Sequence, residues 1–581
     1  MIKIKIDGQE YQAKEGESVL QVAMREGLDI PHLCYHEDLP IEANCRLCLV
    51  KVNDRVETSC NLKVREGLEV FSQDQEITEL RQENLELLLG DHEKNCPKCQ
   101  ENLPCPAKKL MEKYGVSGNK YPRRQLETKV EDLGTAAEFD PEMCVNCNRC
   151  VNTCSKIGIN YLEIEGKAAQ SQLTATADQK IDCIYCGQCT VHCPVSAVRE
   201  KNHLKRVEEV LADQDKILIA QMAPSVRASI GEEFGLPVGS DVTGQMYTAL
   251  RQLGFNYIFD VNFGADITTM IEAQELVERI KDDGVLPMFT SCCPAWVKFV
   301  EFYYPDLIPH LTTSRSPQIH SGGAYKTWWA SQQGINPEKI VVVSIMPCTS
   351  KKYEADLNKF DLSISNSSGE SITVKPVDMV LTTRETAALL KKQQIDLKQL
   401  EPSQADSLGE HSGAAAIYGA SGGVMESALR TAAKMLTGQD LARLEFDSVR
   451  GMNGLKKALV RLDLPDGQEI KLKVAVVSTP KNARIVINEL KKDPRAYDYI
   501  EFMACPGGCI GGGGQPLTST EAIVAERIKA LYQIDQNKKM RTAHANPLVK
   551  EFLDYLEHDE LGQKIEKQVL HTSYEAKKRG Q

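Results

Sequence analysis

The chain has 581 residues, 42% of them apolar and 26% charged, with a formal net charge of −12. That length exceeds what one hydrophobic core organises, so several domains are expected. No apolar run of about eighteen residues argues for a membrane span, and an acidic balance without a dominant basic tract argues against a nucleic-acid partner.

The N-terminus, MIKIKIDGQEYQA, alternates and lacks an apolar leader, so a cytoplasmic protein is the simplest expectation. Residues 2–6 read as a strand, Asp7-Gly8 as a hairpin turn and 9–13 as the returning strand. Ser18 can cap a short helix ending near Gly27. The 20 cysteines are grouped at short gaps in a long chain, which favours thiolate–metal ligation over a disulfide framework. The first group is Cys34, Cys45, Cys48 and Cys60. Two ligands two residues apart, with one on each side, suit a variant of the plant-type 2Fe–2S loop, with structural zinc as the competing occupant.

A helix carrying Ile77, Leu80, Leu87 and Leu88 on one side is expected next, followed by His92, Cys96, Cys99 and Cys105. That set is ambiguous between zinc and iron–sulfur. Cys144, Cys147, Cys150 and Cys154 then read C-x2-C-x2-C-x3-C, and Cys183, Cys186, Cys189 and Cys193 repeat the pattern before Pro194. This is the bacterial two-cluster ferredoxin run, in which the fourth cysteine of each run ligates the other cluster. Cys144, Cys147, Cys150 and Cys193 are therefore expected to hold one 4Fe–4S centre, and Cys183, Cys186, Cys189 and Cys154 the second.

From about residue 210 the pattern changes to short β-branched runs: KILIAQ (216–221), NYIFDV (256–261), VLPMFT (285–290), KIVVVSIM (339–346), VDMVLT (377–382) and KVAVVST (473–479). Most precede a helical pattern, which predicts α/β layers with largely parallel sheets. Five cysteines remain, in three peptides placed where strands end: TSCCPAW (290–296), MPCTSKKYE (346–354) and EFMACPGGCIGGGGQP (501–516). Ligands of open α/β sheets bind beyond the strand carboxyl ends, so the three peptides can meet in one crevice between two sheet-bearing lobes. The run Gly511–Gly514 is expected to allow close backbone approach to a bulky cofactor. ADITTMIEAQELVERI (265–280) reads as a helix with Glu272, Glu275 and Arg279 on one face, which for a lone peptide is a solvated charged face.

Those three cysteine peptides resemble the signature peptides of iron–iron hydrogenases, and residues 1–200 resemble the accessory domains of the larger members. RTAHANP (541–547) and LHTSY (570–574) are similar to the family's small-subunit segment. The resemblance implies that Cys293, Cys348, Cys505 and Cys509 ligate the 4Fe–4S part of the H-cluster, with Cys509 bridging to a diiron unit that carries CO, cyanide and a dithiolate with an amine. It implies pocket-lining roles for Ala223, Pro224, Ser225, Pro317, Gln318, Met346 and Met503, and a cyanide contact for Lys351. It assigns a third accessory 4Fe–4S cluster to His92, Cys96, Cys99 and Cys105. It leaves Cys292 as a proton carrier at the head of a relay in the order Cys292, Glu272, Thr312, Glu275, Arg279. Thr312 departs from the best-known pattern, which has serine there.

The expected fold is therefore multidomain, α+β and α/β. It comprises a β-grasp 2Fe–2S domain (1–76), a His/Cys 4Fe–4S segment (77–134) and a bacterial two-4Fe–4S ferredoxin domain (135–206). A two-lobed α/β H-cluster domain (207–520) and a small-subunit-like segment (521–581) follow. The expected cofactors are one 2Fe–2S centre, three accessory 4Fe–4S clusters and the H-cluster. The expected activity is reversible interconversion of dihydrogen with protons and electrons, using ferredoxin or flavin- and NAD(P)-binding subunits as partners and dedicated maturation proteins for assembly. The competing readings are an electron-transfer subunit like the large iron–sulfur subunit of NADH dehydrogenase, a hydrogen sensor, and an iron–sulfur assembly factor.

Overall fold

The structure, a computed structural model, describes residues 1–90, 92, 105–118, 120–121, 130–166, 171–365, 370–441, 443–463, 469–517 and 519–580. Cys96 and Cys99 lie outside the described residues.

The N-terminal hairpin forms as its alternation requires, Ile2–Ile6 against Gln9–Ala13, and Leu68–Val70 joins the first strand in parallel. Ile4 and Ile6 point inward while Lys3 and Lys5 face solvent. Ser18 and Gln21 form a reciprocal capping box on the helix Val19–Arg25, satisfying backbone donors that the first turn leaves unpaired. The helix Gln75–Leu88 buries a different face from the one its leucines suggest. Ile77, Arg81 and Leu85 are inside, whereas Leu80 and Leu87 are exposed. Arg81 is drawn in because its guanidinium donates to the carbonyls of Leu47 (3.1 Å) and Leu49 (2.6 Å), next to Cys48.

The C-terminal region contains two four-stranded sheets. In the first, β1 (Ile217–Met222) lies between β2 (Tyr257–Asp260) and β4 (Ile340–Met346), and β5 (Met379–Thr382) pairs with β4, all parallel. Every residue of β4 is buried, as expected for a strand covered on both faces. In the second, the order is β3 (Met288–Phe289), β8 (Tyr499–Met503), β7 (Glu469–Ser478) and β6 (Leu455–Asp463). Only the β6–β7 pairing is antiparallel. The strand expected over 285–290 shrinks to two residues, since Pro287 brings no N–H to the ladder. β6 escaped sequence reading because, as an edge strand, it mixes Lys456, Lys457 and Arg461 with its apolar residues and leaves Leu459 exposed.

Helix α1 (Val261–Lys281) starts directly on β2, with Asp260 capping the Asn262 amide, and fourteen of its residues are buried. Its interior placement turns a face that looks solvated in sequence into one that includes the fully buried Glu272. Two further helices frame the region: α2 (Pro294–Tyr303) and α3 (Gly423–Thr437). The C-terminal helix α4 (Glu521–Asn537) is locked onto α3 by a buried charge cluster. Arg430 donates to Glu426 (2.6 Å) and Asp535 (2.8 Å), all three side chains fully buried. Removing one member of such a cluster strands the others uncompensated. One hydrophobic core runs through Val145, Ile157 and Ile184 into Trp296, Phe299 and Ile487, so the cysteine-rich segment and the second sheet pack as one body. Among the described residues no helix is long and apolar enough to cross a membrane.

Candidate active site and cluster ligands

The loops that follow β3, β4 and β8 converge. Cys292 and Cys293, Cys348, and Cys505 and Cys509 line a single cavity between the two sheets. Ala223, Pro224, Ser225, Pro317, Gln318, Met346, Lys351 and Met503 complete much of its wall. Sequence reasoning did not anticipate Tyr418, Val261, Ala265 or Cys186, which also line it. Tyr418 stands in a separate peptide whose local sequence carries no ligand spacing.

Burial pushes the thiols of Cys293, Cys348, Cys505 and Cys509 above the ordinary range, and neighbouring cysteines push the last three higher still. Four thiols raised in this way become thiolates only against a strong local cation, which a metal centre supplies. Among the described residues no three cysteine sulfurs lie within 4.8 Å of one another. A single tetrahedral zinc, with Zn–S near ~2.3 Å, would draw its sulfurs closer than that. Cys293, Cys348, Cys505 and Cys509 facing one cavity are instead the all-thiolate donor set that an iron–sulfur cage takes.

The polar atoms of the wall also fit a bound group. Ser225 Oγ and Gln318 Oε1 are buried with no hydrogen-bond partner. Lys351 Nζ donates to Glu354 (2.7 Å) and to the Cys292 carbonyl (3.1 Å), leaving one N–H for a ligand. Burial works to remove the Lys351 proton, but Glu354 more than offsets this and holds the ammonium above its usual pKa.

A polar file leads away from Cys292. Burial, and then Glu272, push the Cys292 thiol well up. Burial raises Glu272 to about 8, with Glu275 adding to the effect. Glu272 Oε2 accepts from Tyr499 (3.3 Å), and its Oε1 has no partner. Thr312 Oγ1 donates to Glu275 (2.6 Å) and not to Glu272. Arg279 donates to Glu275 through Nε (3.1 Å) and Nη2 (2.5 Å). The predicted relay residues are thus gathered in one file, with direct hydrogen bonds over its outer half.

The accessory cysteines gather as well. Cys34 pairs with Cys45, and Cys48 with Cys60, each pair close enough to share a thiol hydrogen bond. A two-plus-two split suits a rhombic 2Fe–2S centre, each iron taking one pair. Cys154 lines one cavity with Cys183, Cys186 and Cys189, while Cys193 faces Cys147 and Cys150. His92 is buried, and its Nδ1–H donates to the Met143 carbonyl (3.0 Å), a contact that fixes the orientation of the imidazole. Cys105 is also buried.

Gly512 lines the cavity, and the glycine run also packs closely on the chain itself. Its close approach is mostly to polypeptide: a Cβ on Gly512 would meet the Pro347 carbonyl at 2.2 Å, and one on Gly513 the Gly187 backbone at 2.4 Å. Gln188 donates to the Gly511 carbonyl and Thr190 to that of Gly513, both at 2.8 Å. The glycines therefore dock the Cys186 loop against the cavity, where Cys186 and Cys505 face one another.

The comparisons with known proteins agree with this geometry. Residues 216–513 match the family described as iron only hydrogenase large subunit, C-terminal domain, and 521–577 match iron hydrogenase small subunit. Residues 1–75 match a 2Fe–2S iron–sulfur cluster binding domain, and 81–120 the NADH-ubiquinone oxidoreductase-G iron–sulfur binding region. The chain is 38% identical to the NADP-reducing hydrogenase subunit HndD of Solidesulfovibrio fructosivorans, over 99% of each chain. It is 38% identical to iron hydrogenase 1 of Clostridium pasteurianum, over 99% of this chain and all of that one. A solved structure of the apo [FeFe]-hydrogenase HydA1 from Chlamydomonas reinhardtii superposes with a TM-score of 0.56 at 37% identity, covering 65% of this chain and 99% of that one. With its three cysteine peptides joined at one cavity, the chain belongs to the iron–iron hydrogenase family.

Proposed function

We propose that this hydrogenase interconverts dihydrogen with two protons and two electrons at the cavity, with Cys293, Cys348, Cys505 and Cys509 as the H-cluster ligands. The carrying observation is that five cysteines from three distant peptides line one buried cavity beside Lys351. When bound, the H-cluster supplies the electron-deficient metal and adjoining amine base that cleave or form dihydrogen. The protein's own residues do the rest. Lys351 would donate its remaining N–H to a cyanide of the bound group, the Ser225 hydroxyl could donate likewise, and the Gln318 amide oxygen could accept only from an N–H of that group. Pro224, Pro317, Met346 and Met503 exclude water. Cys292 passes protons between the cavity and Glu272, and Thr312 and Glu275 carry them outward.

Electrons travel through one 2Fe–2S and three 4Fe–4S accessory centres, held by the cysteine sets above and, for the third, by His92, Cys96, Cys99 and Cys105. The cluster of Cys154, Cys183, Cys186 and Cys189 is the last before the cavity, because Cys186 shares its wall. The outer partner is a ferredoxin, or flavin- and NAD(P)-binding subunits of a larger complex; anaerobic co-purification distinguishes them. Maturation proteins install the diiron unit, so unassisted expression yields accessory clusters without turnover.

Replacing Cys292 with alanine tests the reading. Turnover should fall by about 10²-fold or more, the scale of a lost proton-transfer group, while the infrared CO and cyanide bands persist. Wild-type turnover in that variant would overturn the proton role.

A further inference from the structure

The expected relay ends on Arg279, and chemistry argues against that terminus. A guanidinium stays protonated at any physiological pH and cannot alternately take and give a proton. Every N–H direction of Arg279 is also engaged. Beyond Glu275, it donates to the carbonyls of Val285 (3.0 Å), Pro309 (3.4 Å), His310 (3.3 Å) and Leu311 (2.9 Å). Arg279 is a clamp that orients Glu275 and pins the segment leading into Thr312.

Glu275 has a second neighbour. Its Oε2 accepts from the Thr313 amide (2.9 Å) and the Thr313 hydroxyl (3.1 Å), and that hydroxyl lies 2.9 Å from His571 Nδ1. Thr313 is exposed and His571 half-buried, so this branch reaches solvent within two side chains. His571 comes from the C-terminal segment, some 258 residues away in the chain, and is held in place by backbone. It bridges to Ser314 in antiparallel fashion, Thr572 donates to the Thr313 carbonyl (2.8 Å), and Arg315 donates to the His571 carbonyl (2.9 Å). Burial sets the His571 pKa somewhat below its ordinary value, with Arg315 adding to the effect, while Glu275, Glu566 and Glu278 face the imidazole and work to raise it.

We propose that protons leave and enter the relay through Thr313 and His571, so that the C-terminal segment supplies the group that exchanges with solvent. In the oxidising direction the Glu275 carboxyl gives its proton to Thr313 Oγ1, which releases its own proton to His571 Nδ1. The imidazolium then loses its Nε2 proton to water. Reversal of each transfer serves dihydrogen evolution, and no oxidant or reductant beyond the established reaction is needed. An imidazole suits this task because its ordinary pKa lies near neutrality. The inference rests on the relay reading above.

The test uses the full matured chain. His571→Ala should lower turnover about tenfold, less than loss of an inner carrier because Glu275 remains, and shift the pH profile. Added imidazole should restore it, while Glu275→Gln should be blocked and not restored. Thr313→Val should reproduce the His571→Ala defect and Thr313→Ser should not, which covers the case of a misfolded His571 variant. Independently of turnover, ¹³C-histidine NMR of the chain lacking the diiron unit should show the His571 midpoint falling in Glu275→Gln, because a facing carboxylate is lost. A blocked Glu275→Gln beside wild-type turnover and pH profile in His571→Ala and Thr313→Val overturns this exit alone, as does an unmoved His571 midpoint. Wild-type turnover in Glu275→Gln overturns the relay reading itself.

Discussion

The accessory cysteines and the cavity cysteines are gathered by opposite routes. In the ferredoxin-like segment three cysteines of each set are neighbours in the chain and the fourth comes from the other run, and tight turns wrap the neighbours inward. Asn146, Asn148, Tyr185 and Gly187 all take positive φ between successive cysteines. In the cavity, β3, β4 and β8 each deliver one or two sulfurs, and nothing local relates Cys293 to Cys348 or Cys505. Local sets depend on turn geometry. The distributed set depends on the docking of two sheets, and its surroundings can therefore be dry enough to retune buried acids, as Glu272 shows.

The largest expected effect breaks that dryness. Glu272→Gln keeps the shape and removes the carrier, so turnover should drop by about 10²-fold or more. Stability should move the other way. Burial holds the native pKa of Glu272 at about 8, against an ordinary 4.5, so the folded state retains a proton that the unfolded chain releases. Stability therefore falls as pH rises between those two values, by at most about 1.4 kcal/mol per pH unit. The variant lacks that loss. Its thermal midpoint should exceed the parent's by a margin that grows from acid to mildly alkaline pH in anaerobic circular-dichroism melts. A margin that stays constant with pH would mean that Glu272 is solvated.

The same contrast explains what the sequence could reveal. The grouping of Cys183, Cys186 and Cys189 was legible because tight turns between them bring chain neighbours to one cavity. The strands were legible because parallel sheets need continuous β-branched runs, as in Ile340–Met346. The convergence of Cys292, Cys348 and Cys505 followed from strand ends, but the walls supplied by Tyr418 and Cys186 did not, since each arrives from a distant element. The buried face of the helix Gln75–Leu88 was misread because Arg81 enters to satisfy carbonyls of the Cys48 loop, and leucine periodicity carries no trace of that. His571 was visible only as part of a family-like peptide. Its contact with Thr313 depends on how the C-terminal tail pairs with the Thr312–Arg315 segment.

An intermediate effect tests the joint between the two kinds of site. Gly513→Ala would place a methyl about on top of Gly187, whose backbone atoms lie 2.4–2.5 Å from the new carbon. Overpacking of this kind costs about 1–3 kcal/mol. Because the contact is between backbones, relief requires the Cys186 loop to back away from Cys505. The accessory iron–sulfur signals should persist, and turnover fed through those clusters should fall several-fold. Unchanged turnover together with an unchanged melting midpoint would show that the two regions do not rely on this contact.

The smallest expected effect asks whether the first cysteine set is truly local. Cys34 and Cys45 form one pair and Cys48 and Cys60 the other. Cys34→Ser weakens the thiolate ligation of one iron while leaving the hairpin, the capped helix and the other sets untouched. The 2Fe–2S signal in low-temperature electron paramagnetic resonance should change or vanish, with the 4Fe–4S signals and the infrared bands unaltered. Turnover with a small reduced dye, which can enter at other clusters, should stay close to wild type. Arg149 makes this a sharp test, because its buried guanidinium feels Cys34 and Cys45 on one side and Cys147 and Cys193 on the other. If the loss of one thiolate also disturbs the signal of the Cys144, Cys147, Cys150 and Cys193 set, the disturbance has passed through Arg149. The first set and the ferredoxin-like pair are then electrostatically joined across separate domains of the chain.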